Sequence, residues 1–175
     1  MPSFADTLAS WHEFYALLGT ASATMIALLF VAASVGSGVF SSDRRAPLRV
    51  FLSASVVHFS GILAASLIVL SPLRSQILFG SLIIAGGFVG LGYYGLTWRD
   101  TVRDDLFKRI DLEDRIWYAF LPVAGYLLET SSGVTLVFRI EPGWPALAVS
   151  MGVLLLVGIH NAWDITVWSI SRRPD

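Results

Sequence analysis

Charged side chains are missing from long reaches of this chain. Phe14 to Ser42, Val50 to Leu73 and Ser75 to Trp98 hold no Asp, Glu, Lys or Arg. Ile116 to Phe138 is broken only by Glu129, and Pro142 to Ser171 only by Asp164, with His160 one turn before it. Each run exceeds the roughly 20 residues a helix needs to cross about 30 Å of hydrocarbon. In lipid the backbone must satisfy its own hydrogen bonds, which predicts helices. A β-barrel would show alternating segments of about 10 residues, and these runs do not alternate. The pattern predicts an all-α membrane protein of one domain, residues 1–175. Its five transmembrane helices fall at about 11–39, 50–70, 76–97, 116–138 and 145–170. No inverted repeat is visible.

The gaps between the runs give an orientation. Arg44, Arg45, Arg49, Arg99, Arg103, Lys108, Arg109, Arg115, Arg172 and Arg173 fall on one side, and only Arg74 and Arg139 on the other. By the positive-inside rule the N-terminus is outside and the C-terminus cytoplasmic. Trp11, Tyr15 and Trp144 then mark outer span ends, and Tyr93, Tyr94, Trp98, Trp117, Tyr118 and Trp168 inner ones, where amphipathic rings favour the headgroup level. MPSFADTLAS lacks the basic region of a signal peptide, so the first run is expected to stay as a helix. The compactness of the chain points to a bacterial-type inner (plasma) membrane.

Small residues predict how the helices approach. Gly19, Ala23 and Ala27 recur every four residues in span 1, and Gly86 and Gly90 form a GxxxG in glycine-rich span 3. Both suit close helix packing. Together with the small size they suggest a homo-oligomer. Pro122 removes a backbone donor from span 4 and predicts a kink. Between spans 3 and 4, Val102, Leu106, Phe107 and Ile110 have helical spacing, and Thr101 with Asp104 resembles a capping box. A short amphipathic surface helix over 99–115 follows. Its five basic and six acidic residues exclude a polybasic lipid-binding segment, and it is a candidate docking site for a cytoplasmic partner.

Composition narrows the chemistry. Only 14% of the 175 residues are charged, against about 25% in a soluble domain. A net charge of −1 gives no footprint for nucleic acid. The absence of cysteine removes disulfides, thiolate metal sites, thiol catalysis and covalent haem attachment. No G-x-S-x-G, H-E-x-x-H or phosphate-binding glycine loop occurs, so enzyme chemistry has little to stand on. The glycines of span 3 follow no strand, which excludes a dinucleotide fold.

Ionisable groups inside the runs carry the functional signal, because a charge at mid-bilayer costs about 2.5–3.5 kcal/mol. At about 1.5 Å per residue, Asp164, His58, His160 and Glu129 lie about 10, 12, 16 and 20 Å from the inner ends of their spans. They are expected in one central zone on three helices. Tyr126 and Ser132 share a face with Glu129, and Asn161 sits beside His160, as supporting polar groups. Three readings follow. The first is a transport or channel protein in which His58, Glu129, His160 and Asp164 form a proton or cation pathway. The second is a non-transporting scaffold or accessory subunit held together by buried polar groups. The third is a haem b or divalent-metal protein with His58 and His160 as ligands.

Overall fold

The computed structural model describes residues 4–37, 42–73, 75–103, 112–140 and 143–171. Its long helices are α1 (Phe4–Ser37), α2 (Ser42–Leu70), α3 (Gln76–Arg103), α5 (Leu121–Val137) and α6 (Gly143–Ser171). A single turn, α4 (Leu112–Arg115), and a π-helical turn over Ile116–Phe120 lead into α5. Among the described residues there is no strand. The segments Asp6–Ser34, Gln76–Leu96, Ile116–Val137 and Gly143–Asp164 are long and apolar enough to cross a membrane, and Ala54–Leu70 of α2 is a shorter apolar stretch. The result is the five-helix bundle read from the charge gaps, and it marks a multi-pass membrane protein.

Side-chain hydroxyls follow the same logic. Outward-facing Thr20, Thr24 and Ser131 donate to the carbonyls of Ala16, Thr20 and Leu127, each four residues back, at 2.8–2.9 Å. A hydroxyl facing hydrocarbon has no water to bond and must satisfy itself on its own helix. Around them the outward surface is apolar, with Leu17, Phe30, Val89, Phe120 and Leu156 all exposed.

Helix directions are fixed by contacts at one end. Phe4, Phe79 and Trp144 pack there edge-on or tilted with ring centroids 5.1–6.0 Å apart, and the Tyr15 hydroxyl donates to the Trp144 carbonyl at 3.1 Å. This aromatic end therefore holds the N-termini of α1, α3 and α6. Phe4 and Leu8 pack against the core there, which draws α1 out to a start seven residues before the expected Trp11. Short turns join α2 to α3 and α5 to α6, so α2 and α5 run the other way.

The packing stripes differ from the expected ones. Gly19 is buried against Ser66 of α2, but Ala23 and Ala27 face outward. Each four-residue step overshoots a full helical turn by about 40°, so a strict i, i+4 stripe leaves the buried arc of Tyr15, Leu18, Ser22 and Leu29. In α3 the buried glycines are Gly80, Gly87 and Gly90, all against α5, while Gly86 sits at the margin of that face. The α3–α5 contact is the most extensive in the bundle.

Pro122 lies in the first turn of α5, directly after the π-helical turn. The Leu121 N–H bonds the Ile116 carbonyl across that wider turn. A proline cannot donate to the carbonyl four residues back and clashes with it, and a π turn is one way to absorb the conflict. Of the expected surface helix, residues 99–103 belong to α3 and 112–115 to α4. Residues 104–111, the middle of the candidate partner site, lie outside the described residues.

The far end of α5 carries a testable conformation. Arg139 has φ 59°. Its N–H bonds the Leu136 carbonyl at 3.2 Å, and the Ile140 N–H bonds the Thr135 carbonyl at 2.8 Å. This is a Schellman cap with arginine where glycine is usual. Arg139→Gly is expected to raise stability by about 1 kcal/mol by removing the left-handed cost of a Cβ, read as a higher melting temperature in detergent.

Candidate functional site

The centre of the bundle is built on His58. Its helix buries Ser55, His58, Phe59, Ile62, Ala65, Ser66 and Val69 on one face, so a polar ring is carried inward with the apolar core. His58 is 0% exposed. Its Nε2 lies 2.7 Å from the hydroxyl of Tyr94 on α3. Its Nδ1 lies 3.1 Å from the hydroxyl of Tyr126 on α5. The rings are nearly parallel, with interplanar angles of 21° and 26° and centroids 5.6 and 5.7 Å from the imidazole. Three helices are thus tied through one side chain.

In one tautomer Tyr94 donates its O–H to Nε2 and Nδ1–H donates to the Tyr126 oxygen; in the other the two roles exchange. A neutral imidazole has one donor and one acceptor nitrogen, so this arrangement uses both. In the first tautomer the Tyr126 hydroxyl proton is left for a further acceptor. Held in this way, His58 offers no free ring nitrogen to a metal or haem iron. Among the described residues no group of three or more His, Asp or Glu side chains could hold a metal ion.

Glycines make the space for this array. A Cβ on Gly90 would run into the Tyr126 ring, and one on Gly61 would stand 3.9 Å from its hydroxyl. Glu129 follows Tyr126 by one turn on the same face of α5 and is 4% exposed. Its Oε1 would stand 3.1 Å from a Cβ at Gly86. Gly86 and Gly90 therefore matter at the site, one beside the carboxyl and one beneath the tyrosine. Ser132, one turn further, is fully buried, and its hydroxyl has no partner among the described residues.

His160 and Asp164 have other partners, on the π-helical turn. The His160 ring stacks on Trp117 at 3.9 Å and 19°. Asp164 faces outward and accepts a 2.8 Å bond from Tyr118. Both partners come from the π-helical turn. Asn161 is 0% exposed, and neither amide atom has a partner among the described residues; the same holds for His160 Nδ1. The four ionisable side chains expected in one zone have different partners: His58 bonds Tyr94 and Tyr126, while His160 and Asp164 of α6 meet Trp117 and Tyr118 of the π-helical turn. Depth along a span says nothing of which way a side chain points around its helix.

Tyr94, Trp117 and Tyr118 stood among the interfacial aromatics in the sequence and prove to be the partners of the ionisable groups. A signal for Tyr94 was present: it continues the buried stripe of Gly80, Gly87 and Gly90 by a further turn. Comparison with protein-family models, with curated proteins and with solved structures finds no match to this chain.

Proposed function

We propose that this protein passes protons within the membrane, using Tyr94, His58 and Tyr126 as a relay and Glu129 as the group that takes up the proton. The observation that supports it is a fully buried imidazole bonded through both ring nitrogens to tyrosine hydroxyls. Each member can give one proton and accept another. A proton reaching the Tyr94 oxygen displaces the Tyr94 hydroxyl proton to Nε2. The Nδ1 proton then moves to the Tyr126 oxygen, and the Tyr126 proton moves to the Glu129 carboxylate. Every relay group ends with the number of protons it began with, the imidazole changes tautomer, and Glu129 becomes a neutral acid. In this reading the protein is of transport or channel type in a plasma membrane, with its C-terminus cytoplasmic.

A second reading also has an observation in its favour. Because both His58 nitrogens are satisfied, the array would serve equally as interhelical glue in a scaffold or accessory subunit. Full-length protein in liposomes with an internal pH-sensitive dye separates the two. Under an imposed pH gradient, wild type is expected to dissipate the gradient. Tyr126→Phe and Glu129→Gln are expected to fall to the rate of protein-free vesicles. Absence of wild-type flux, or wild-type flux in Tyr126→Phe, overturns the relay. The glue reading then predicts only a lower melting temperature for these variants.

A further inference from the structure

We propose that Ser55 and Asn161 bind internal water between α2 and α6, in a site that connects the His58 relay to the His160–Asp164 end of the bundle. Both side chains are 0% exposed, and the Ser55 hydroxyl and both Asn161 amide atoms have no partner among the described residues. An unsatisfied buried polar group costs about 1–3 kcal/mol, so an asparagine here would be costly if the site were dry. A serine on a helix can relieve itself by bonding the carbonyl four residues back, as Ser131 does. Ser55 does not, and its hydroxyl stays free for another partner.

The α2–α6 contact sets the two on one side of it. A Cβ on Gly158 would come 2.7 Å from Phe59 Cε1, so the Phe59 ring of α2 lies against α6 at Gly158. The helices are antiparallel. One turn from that contact toward the start of α2 lies Ser55, and one turn toward the end of α6 lies Asn161. Both fall on the same side of the contact, away from the aromatic end. Ser55 also shares the buried face of α2 with His58, one turn away. His160, next to Asn161, adds a buried Nδ1 without a partner among the described residues.

The chemistry specifies water. An amide supplies a donor and an acceptor, and a hydroxyl supplies both. These are the two to four neutral partners an internal water takes. A divalent cation would need a cage of oxygens with carboxylates among them, which this pair lacks. Water here would extend the chain of exchangeable protons from the relay toward the far end. That role rests on the proton-transfer reading; the occupancy of the site does not.

Hydroxyl-radical footprinting by X-ray radiolysis, read by mass spectrometry on the full chain in nanodiscs, tests the site directly. Radicals formed from a bound water label its immediate neighbours even where bulk water is excluded. Phe59, one turn from Ser55 and against Gly158, is expected to be labelled, and Phe79, equally buried in the aromatic cluster, to stay silent. Asn161→Leu should lose the Phe59 label. The milder Ser55→Ala, which adds no bulk, should reduce it. Phe59 as silent as Phe79 in wild type, or labelled equally in both variants, overturns the site. Proton flux is measured on the same proteins. A lost label with wild-type flux in Asn161→Leu leaves the water site standing and removes it from the proton path. If wild type carries no flux, the relay fails, and the labelling alone decides the site.

Discussion

Leucine at Gly87 is expected to leave no folded bundle to purify. A Cβ at this position would press on the Thr130 side chain and stand 3.0 Å from the Thr130 nitrogen and 3.1 Å from the Tyr126 carbonyl oxygen. Two of these obstacles are backbone atoms of α5, which cannot rotate away as a side-chain tip can. Gly80 is set in the same way against the Gly133 carbonyl at 2.8 Å. Overpacking by one methyl costs about 1–3 kcal/mol, so Gly87→Ala should survive with a clearly lower melting temperature. Leucine adds three more carbons and forces α3 off α5. Gly92→Ala is the control, since nothing lies within 4 Å of its added Cβ. It should match wild type by size-exclusion chromatography and thermal unfolding. Gly87→Leu running as a monodisperse, wild-type-like peak would show that α3 and α5 are not docked as described.

The glycines also show what could be read in advance. A helix with so many was bound to pack against others, and it does. Which glycines meet α5 could not be read, because GxxxG spacing picks Gly86 and Gly90, while the buried arc takes Gly80, Gly87 and Gly90. The spans themselves were legible because lipid imposes one rule over 20 residues at a time. Side-chain pairing obeys no such rule. His58 stood out as an ionisable residue in an apolar run, but Tyr94 looked like one more interfacial aromatic. Only the register of α3 on α2, across the short turn between them, brings the Tyr94 hydroxyl to Nε2. Asn161 was noticed only as a neighbour of His160. Its burial follows from lying three and four residues beyond Gly158 and Val157, on the inner face of α6.

His58→Ala is expected to destabilise the bundle by about 4–6 kcal/mol. Removing a buried ring costs about 2–5 kcal/mol where the site cannot collapse. It also strips the hydroxyls of Tyr94 and Tyr126 of their shared partner, at about 1–3 kcal/mol for each one left unsatisfied. Interhelical hydrogen bonds in lipid are often worth less, near 0.6 kcal/mol on average, which keeps the total in the lower part of that sum. His58→Phe restores most of the ring volume but not the acceptor and donor, so it should fall between alanine and wild type. The informative protein is the triple variant with phenylalanine at 58, 94 and 126. Replacing every member of a buried polar group by apolar side chains of similar shape is often nearly neutral. The triple variant should therefore regain much of the stability that His58→Phe loses. If the array exists to hold helices together, a stable triple variant behaves as wild type in every assay. If it moves protons, the same variant is folded and inert, because the exchangeable protons of positions 58, 94 and 126 are gone. A folded triple variant that still dissipates a pH gradient would take the relay out of His58 altogether.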